Sequence, residues 1–475
     1  MPSEPRSTPA STVDEALVWT SDWLGSDPIF YNERTGSVAR EINDVIDFTH
    51  LEIDHAGLAD YLDFGYCAFG HTPVQGVKVL TANSELTIGS AGTITVRRGD
   101  DPAEALLERR TNEADVLDSI RHAVEEWETE VDGEICVPLS GGYDSRLLVS
   151  LLRDKTRVRA FTYGLSDNQL DSSEVVYARE LSLRLRTKWA AIELGDYHRH
   201  LDAWDALYGC SSHAHGMYHI EFYSKIRDRY RIGGPLLSGV IGDAWSGNVS
   251  VPGISKPDDL LALGYRHGLH ADSNRLCRRT VSQYRLDYFD RNREKLADPR
   301  RRTIEAMRLK MILLSYLARV PRHLGFEPWS PFLDCRIAMS MLCLPEERRQ
   351  DRRWQQQHFR DQGIDVEAFG LPCTRQNSLN LRTLARNSLP PLRTDLLEEF
   401  LERPYLDWIN RTLSPANSWD RAWKGIEKLT PPPLFHRLSR FRSKAELRRL
   451  TAYHAYLTLR PIERLLARRH VAHTA

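Results

Sequence analysis

Between Glu134 and Ser145 the chain reads Glu-Ile-Cys-Val-Pro-Leu-Ser-Gly-Gly-Tyr-Asp-Ser, residue types whose spacing suits the binding of a phosphorylated ligand. An apolar run, Ile135 to Leu139, stops at Ser140-Gly141-Gly142, and a second apolar series follows with Leu147, Leu148, Leu151 and Leu152. The pattern predicts a strand, a tight loop and a helix. Two glycines let the backbone turn closely and present bare N–H groups, the helix adds the positive end of its dipole, and Ser140 and Ser145 add hydroxyl donors. An ordinary strand-to-helix turn with a serine cap would also read Ser-Gly-Gly, so for those three residues alone the two readings balance. No Gly-Lys-Ser/Thr follows, so this is not a Walker A loop, and without GxGxxG it is not a dinucleotide fingerprint.

A phosphate cradle of this kind needs a carboxylate to hold a metal ion near the phosphates. Magnesium takes one or two carboxylates and keeps phosphate oxygens and waters as its remaining ligands. Asp243, in Leu-Ser-Gly-Val-Ile-Gly-Asp-Ala-Trp, falls at a predicted strand end, with Asp144 as its partner at the loop. The competing reading is a turn aspartate after Gly242. Glu327 lies in Gly-Phe-Glu-Pro-Trp-Ser-Pro-Phe-Leu-Asp, where two prolines among aromatics predict a rigid, partly buried loop before a helix at Arg336. Taken alone it would pair with a neighbouring arginine; a part in deprotonating an amine, which needs desolvation, comes only from a family resemblance. His213, His215 and His219 invite a metal reading, but no nearby cysteine completes a set, so packing or substrate contact is preferred.

The string Ser-Gly-Gly-x-Asp-Ser resembles the pyrophosphate loop of the ATP pyrophosphatases that activate substrates by adenylation, a group including asparagine synthetase. Leu237 to Gly247 is similar to that family's Ser-Gly-x-Gly-x-Asp-Glu segment, and Gly325 to Asp334 to its Gly-x-Glu-x-Arg-x-Pro-Phe-Leu-Asp segment. The likeness extends to Glu174 and Ala178 and to Arg375-Gln376-Asn377, covering roughly residues 28 to 400. It implies ATP as co-substrate with Mg2+, cleavage between the α and β phosphates, and a doubly flanked parallel sheet of the PP-loop, adenine nucleotide alpha hydrolase-like kind. It further implies that Leu139, Ser140, Gly141, Gly142, Asp144, Ser145 and Gly239 bind ATP and pyrophosphate, that Asp144 and Asp243 hold the metal, and that Glu327 and Arg375 are catalytic. Four positions depart from the family pattern: Ala244 for a glutamate, Trp329 for an arginine, and Gln356 and Asn377 for lysines. Losing cations beside a transferring phosphoryl group removes charge stabilisation, for which Arg375 is the expected substitute.

The elements that must position these residues alternate. An apolar stripe from Val116 to Trp127 predicts an amphipathic helix before the loop strand. Val158 to Tyr163, Ala190 to Leu194 and Pro235 to Ser238 predict further strands, with a helix over Ser173 to Leu185. Strand–helix alternation from 114 to 245 implies an α/β unit with a parallel sheet, flanking helices and ligands at the strands' carboxyl ends. After about 256 helical spacing dominates: Ile304 to Val320, Arg336 to Leu344, Arg352 to Gln362, Arg382 to Leu389 and Thr394 to Trp408. The expected division is a disordered tail 1–14, a β-rich unit 15–110 with a helix near His55 to Leu62, an ATP-binding ligase domain 111–400, and a basic helical extension 401–475.

Phe64-Gly65-Tyr66, Gly76 to Leu80 and the hairpin through Gly92 to Arg98 resemble part of the glutamine-amidotransferase domain of asparagine synthetases, here truncated and degenerate. That family's nucleophilic cysteine follows the initiator methionine; here Pro2 stands there, and Cys67 reads as a small buried side chain. Glutaminase activity is therefore expected to be absent.

The chain has 475 residues, 41% hydrophobic and 27% charged, enough for two or three domains and a large core. With 64 Lys+Arg against 65 Asp+Glu, a formal charge of -1 supplies no global attraction to nucleic acid or anionic membrane. Seven scattered cysteines with no CxxC argue against a zinc knuckle or disulfide framework and fit a reducing cytoplasm. No signal peptide or membrane span is read from the sequence. The expectation is an amide-forming ligase that joins a carboxylate to ammonia or an amine, in specialised metabolite, peptide-ring or saccharide biosynthesis rather than in making asparagine. Its partners would be small-molecule or peptide substrates, with a separate ammonia source or partner protein. The alternatives are a non-catalytic, nucleotide-binding homologue and a PP-loop RNA-modifying enzyme.

Overall fold

The computed structural model describes residues 10–13, 16–89, 92–264, 269–278, 281–414 and 432–474, without the side chains of 10–13, 16, 432–442, 473 and 474. Strands β1 (Ala10–Val13), β2 (Ala16–Thr20), β3 (Phe30–Asn32), β4 (Val38–Ala39), β5 (Val77–Val79), β6 (Ser84–Ile88) and β7 (Ile94–Arg98) form two antiparallel sheets, β1-β2-β6-β7 and β4-β3-β5. Of the expected tail, Ala10–Val13 is therefore a paired strand, and residues 1–9 and 14 lie outside the described residues. Helix α1 (His55–Phe64) begins where the Asp54 side chain accepts from the Gly57 N–H and ends at Gly65, whose φ of 78° only glycine adopts freely. It thus extends past the Leu62 boundary and takes in Tyr61 to Phe64.

Helices α2 (Pro102–Leu107) and α3 (Glu113–Glu130) lead into the central unit. The α3 stripe Val116, Ile120, Val124 and Trp127 is buried, as its spacing predicts. There follow β8 (Ile135–Pro138), α4 (Tyr143–Leu151), β9 (Val158–Thr162), α5 (Ser173–Leu185), β10 (Lys188–Ala191), α6 (Leu201–Tyr208), α7 (Tyr218–Tyr230), β11 (Gly234–Leu237) and α8 (Gly242–Ser246). Ile135, Cys136 and Val137 have no exposed surface, consistent with a strand covered on both faces.

The fifth strand, β12 (Phe326–Trp329), falls where the sequence predicts a loop. Gly325 (φ 87°) offers its carbonyl to the Gly234 N–H at 3.0 Å, and the chain then runs parallel to β11, Leu237 opposite Trp329. Pro328 is tolerated because β12 is an edge strand, where a missing N–H costs no ladder bond on its open side. The sheet order is β10-β9-β8-β11-β12, all parallel. Strand order reverses between β8 and β11, which opens a crevice at their carboxyl ends.

The helical half holds α9 (Gln283–Asn292), α10 (Pro299–Leu314), α11 (Tyr316–His323), α12 (Cys335–Leu342), α13 (Glu346–Arg349), α14 (Arg353–Asp361), α15 (Leu379–Arg386), α16 (Thr394–Leu397) and α17 (Arg403–Leu413). The single helix expected over Thr394 to Trp408 is two, because Phe400 and Glu402 give their backbone groups to Cys277 and Arg275 instead. Ile304 to Val320 likewise divides at the buried Ser315.

One contiguous apolar core runs from Trp23 to Leu466. The β-rich unit is tied into it by Trp23, whose indole donates to the Leu333 carbonyl at 2.8 Å, and by the Asp101–Arg308 ion pair. The basic C-terminal stretch forms a helix, Pro432–Thr474, that buries Tyr453, Tyr456, Leu457, Leu459, Ile462 and Leu466 and pairs Arg464, Arg468 and Arg469 with Asp202, Asp205 and Glu399. In this part the expected basic extension is a docked helix whose charges are neutralised. Among the described residues no helix is long and apolar enough to cross a membrane.

Candidate functional site

The loop after β8 departs from a fixed point. Leu139, fully buried, donates its N–H to the Phe161 carbonyl at 2.9 Å and accepts from the Thr162 hydroxyl. Gly141 has a φ of 72°, and a Cβ there would stand 2.6 Å from the Tyr177 Cβ on α5, so both conformation and space demand glycine. Gly142 caps α4 without a side-chain acceptor, and its own N–H reaches the Ser140 hydroxyl at 3.3 Å. Ser140 and Gly142 are exposed, so the loop and the first turn of α4 face solvent with donors to offer. Ser145 is buried, and its hydroxyl has no partner among the described residues.

Asp144 is wedged under the loop that follows β11. A Cβ on Gly239 would lie 2.9 Å from the Asp144 Cβ and 3.0 Å from the Ser145 nitrogen, and one on Gly242 would lie 2.8 Å from the Asp144 Cγ. The two strands at the reversal point thus deliver Asp144 and, on α8, Asp243 to the same crevice. Asp243 Oδ2 accepts from the Asn248 amide at 3.3 Å. Burial pushes the Asp144 carboxyl up to about 7, the nearby Asp243 charge adds to this, and Arg352 and Gln355 offset part of it. Asp144 Oδ1 is buried with no hydrogen-bond partner. On the far side, burial lowers the Lys310 ammonium while the Asp243 charge opposes that shift.

Two facing carboxylates with an orphaned oxygen are a donor set that a hard divalent cation would neutralise. Among the described residues no group of three or more His, Cys, Asp and Glu could hold a metal, which disfavours a dedicated zinc site. A magnesium ion needs only one or two carboxylates when phosphate supplies the rest, so the pair fits that ion. His213 and His219 are buried and His215 partly so; they pack with Tyr218, Tyr163 and Tyr316 and do not converge on a common point.

Arg146 was not singled out by its sequence context, yet it organises the loop. It is fully buried, donates to the Gly141 carbonyl at 2.6 Å, and makes a two-pronged pair with Glu367 at 2.8 and 2.6 Å. An arginine directly after the Asp-Ser pair was the available signal; its partner, 221 positions away, was not visible. Arg375 is exposed and donates to the Tyr177 hydroxyl at 3.1 Å, which sets it beside the α5 residue that Gly141 touches. Asn377 is exposed nearby.

Glu327 is placed differently from the expectation. It is exposed on the edge strand β12, opposite Pro235 and two residues before the strand's carboxyl end, so the desolvation expected to ready it for proton transfer is missing. Trp329 stacks on Trp127 with ring centroids 5.0 Å apart and planes 6° from parallel, a packing role in the place of the family's arginine.

Residues 115–212 match the family described as Asparagine synthase. No curated protein matches the chain significantly. The Asparagine synthase match holds β8, the glycine loop, Asp144, β9 and β10 but ends before Asp243, Lys310, Arg352 and Arg375, so those residues rest on geometry. What it supports is a likeness to ATP-dependent, amide-forming ligases in the half of the sheet that carries the loop.

Proposed function

We propose that this chain is an ATP-dependent carbon–nitrogen ligase that adenylates a carboxylate, releases pyrophosphate and passes the acyl group to ammonia or an amine. The observation that carries the reading is the meeting of Asp144 and Asp243 at the strand-order reversal, beside a glycine loop whose helix N-terminus is open. Magnesium held by the two aspartates would supply neutralisation of phosphate charge.

The chain's own residues then divide the work. Ser140, Gly141 and Gly142 with the first turn of α4 receive the β and γ phosphates, and the unpartnered Ser145 hydroxyl donates to a phosphate oxygen. Arg146 keeps the loop in that shape through the Gly141 carbonyl. A substrate carboxylate oxygen bonds to the α-phosphorus as the bond to the bridging oxygen breaks, and pyrophosphate leaves with that electron pair. The amine nitrogen then bonds to the acyl carbon, AMP leaves, and the nitrogen loses a proton. In the β-rich unit the sole cysteine, Cys67, is buried with its thiol pushed far up, which supports an amine supplied without a local glutaminase. A carboxylate of the metabolite or peptide kind, rather than aspartate, is supported by Trp329 being committed to Trp127.

Incubating purified protein with MgATP and a panel of acids and amines tests this. Pyrophosphate and AMP should appear in equal amounts with one acid–amine pair, and Asp243→Ala should abolish both. ATP binding without turnover in any pair would favour a nucleotide-binding homologue, and absence of binding would overturn the reading.

A further inference from the structure

Four arginines and a lysine lie around the loop, and they are not equivalent. Arg146 is consumed by Glu367 and the Gly141 carbonyl. Arg375 is exposed and tethered to Tyr177. Arg360, on the helix that carries Gln356, is paired with Asp365. Lys310 faces Asp243 from α10. Arg352 is different: its guanidinium lies 4.2 Å from the centre of the Tyr143 ring, on the first residue of α4, and among the described residues it forms no salt bridge. Its charge also acts on Asp144, which places it on the crevice side of the loop.

The backbone is built to deliver it. Asp351 and Arg352 both adopt left-handed conformations, φ 54° and 58°, which cost non-glycine residues energy and persist where surrounding contacts over-determine them. The contact here is Gln356, whose amide donates to the Asp351 carbonyl at 2.8 Å. Buried Trp354, donating to the Ser246 carbonyl at 3.3 Å, holds the turn that follows. The residue standing where a lysine was expected therefore holds the bend that presents an arginine one turn earlier.

We infer that Arg352 is the pyrophosphate-binding cation of this site, a planar guanidinium braced on Tyr143 that takes over the charge missing at Gln356 and Asn377. This rests on the ligase reading above. A flat, rigidly stacked fork binds two oxygens of a phosphate group at once, which a lysine in the same place would not do.

Binding of inorganic pyrophosphate with Mg2+ to the full chain, measured by calorimetry at several salt concentrations, tests the inference separately from turnover. Arg352→Gln should weaken binding at least ten-fold and flatten its salt dependence, with Arg352→Lys recovering only part. The melting temperature of each variant is measured alongside, and Arg353→Gln, which alters an exposed neighbour paired with Asp351, should bind as the parent does. Unchanged pyrophosphate binding in Arg352→Gln overturns the inference and leaves the ligase reading standing; no pyrophosphate binding by the parent protein overturns both.

Discussion

Arg146 Nη2 donates to the carbonyl of Gly141 at 2.6 Å while Nη1 and Nη2 both pair with the half-buried Glu367, so an ion pair anchored on a buried guanidinium holds the glycine loop. Removing the acid leaves a buried guanidinium with only the Gly141 and Ile364 carbonyls as partners and no counter-charge. Glu367→Ala should therefore cost about 3 kcal/mol, read as a lower denaturation midpoint, and should slow ATP-dependent pyrophosphate release. Glu367→Gln, which keeps an acceptor for one prong, should lose less on both measures.

Gly239 has no room for a methyl group, since its Cβ would meet the Asp144 Cβ at 2.9 Å and the Ser145 nitrogen at 3.0 Å. Both neighbours belong to α4 and cannot yield without shifting the Asp144 carboxylate. Gly239→Ala should abolish pyrophosphate release in a protein that still folds. Gly253→Ala, where nothing lies within 4 Å, should match the parent in activity and stay within about 0.5 kcal/mol in stability.

His198 and His219 are buried, and burial lowers them to about 4 and about 3 respectively. The folded protein keeps them neutral while the unfolded chain protonates near 6.5, so the unfolded state binds more protons as the pH falls below that value. Stability should be full above pH 7 and decline from about pH 6.5 toward pH 4, by up to about 1.4 kcal/mol per pH unit for each such histidine. His219→Phe, among Tyr163, Phe222 and Tyr316, should flatten the fall in melting temperature between pH 7 and pH 5. An unchanged slope would show that His219 does not contribute.

Glu327 was assigned proton transfer by likeness of sequence, and the fold leaves it exposed. Glu327→Gln should change turnover by less than about two-fold, in keeping with a side chain left in solvent on the edge strand. A hundred-fold loss in kcat with an unchanged melting temperature would restore it to the catalytic set.

The strand, loop and helix around Ser140 to Ser145 could be read from residue order because their causes are local: an apolar run to be covered, two glycines for a turn, and a renewed helical spacing. The same holds for α5, whose limits match the sequence reading, whereas Asp243, expected at a strand end, lies in the first turn of α8, beyond the end of β11 at Leu237. β12 escapes the sequence because two prolines and three aromatics in ten residues look like a loop, and only pairing with β11, begun by the Gly325 carbonyl reaching Gly234, makes that stretch a strand.

Sequence alone established an α/β chain with a glycine loop between a strand and a helix, and it marked Asp243 as a second acid to look for. Tertiary structure decided what surrounds them: that Glu367 holds Arg146, that Glu327 stays in solvent, and that Gln356 holds the bend from which Arg352 reaches Tyr143. The physical reason is distance along the chain. A glycine's freedom or a helix's apolar stripe is a property of neighbours, whereas the charge around a phosphate site comes from segments more than 200 residues apart, brought together by the sheet order and the core that fixes it.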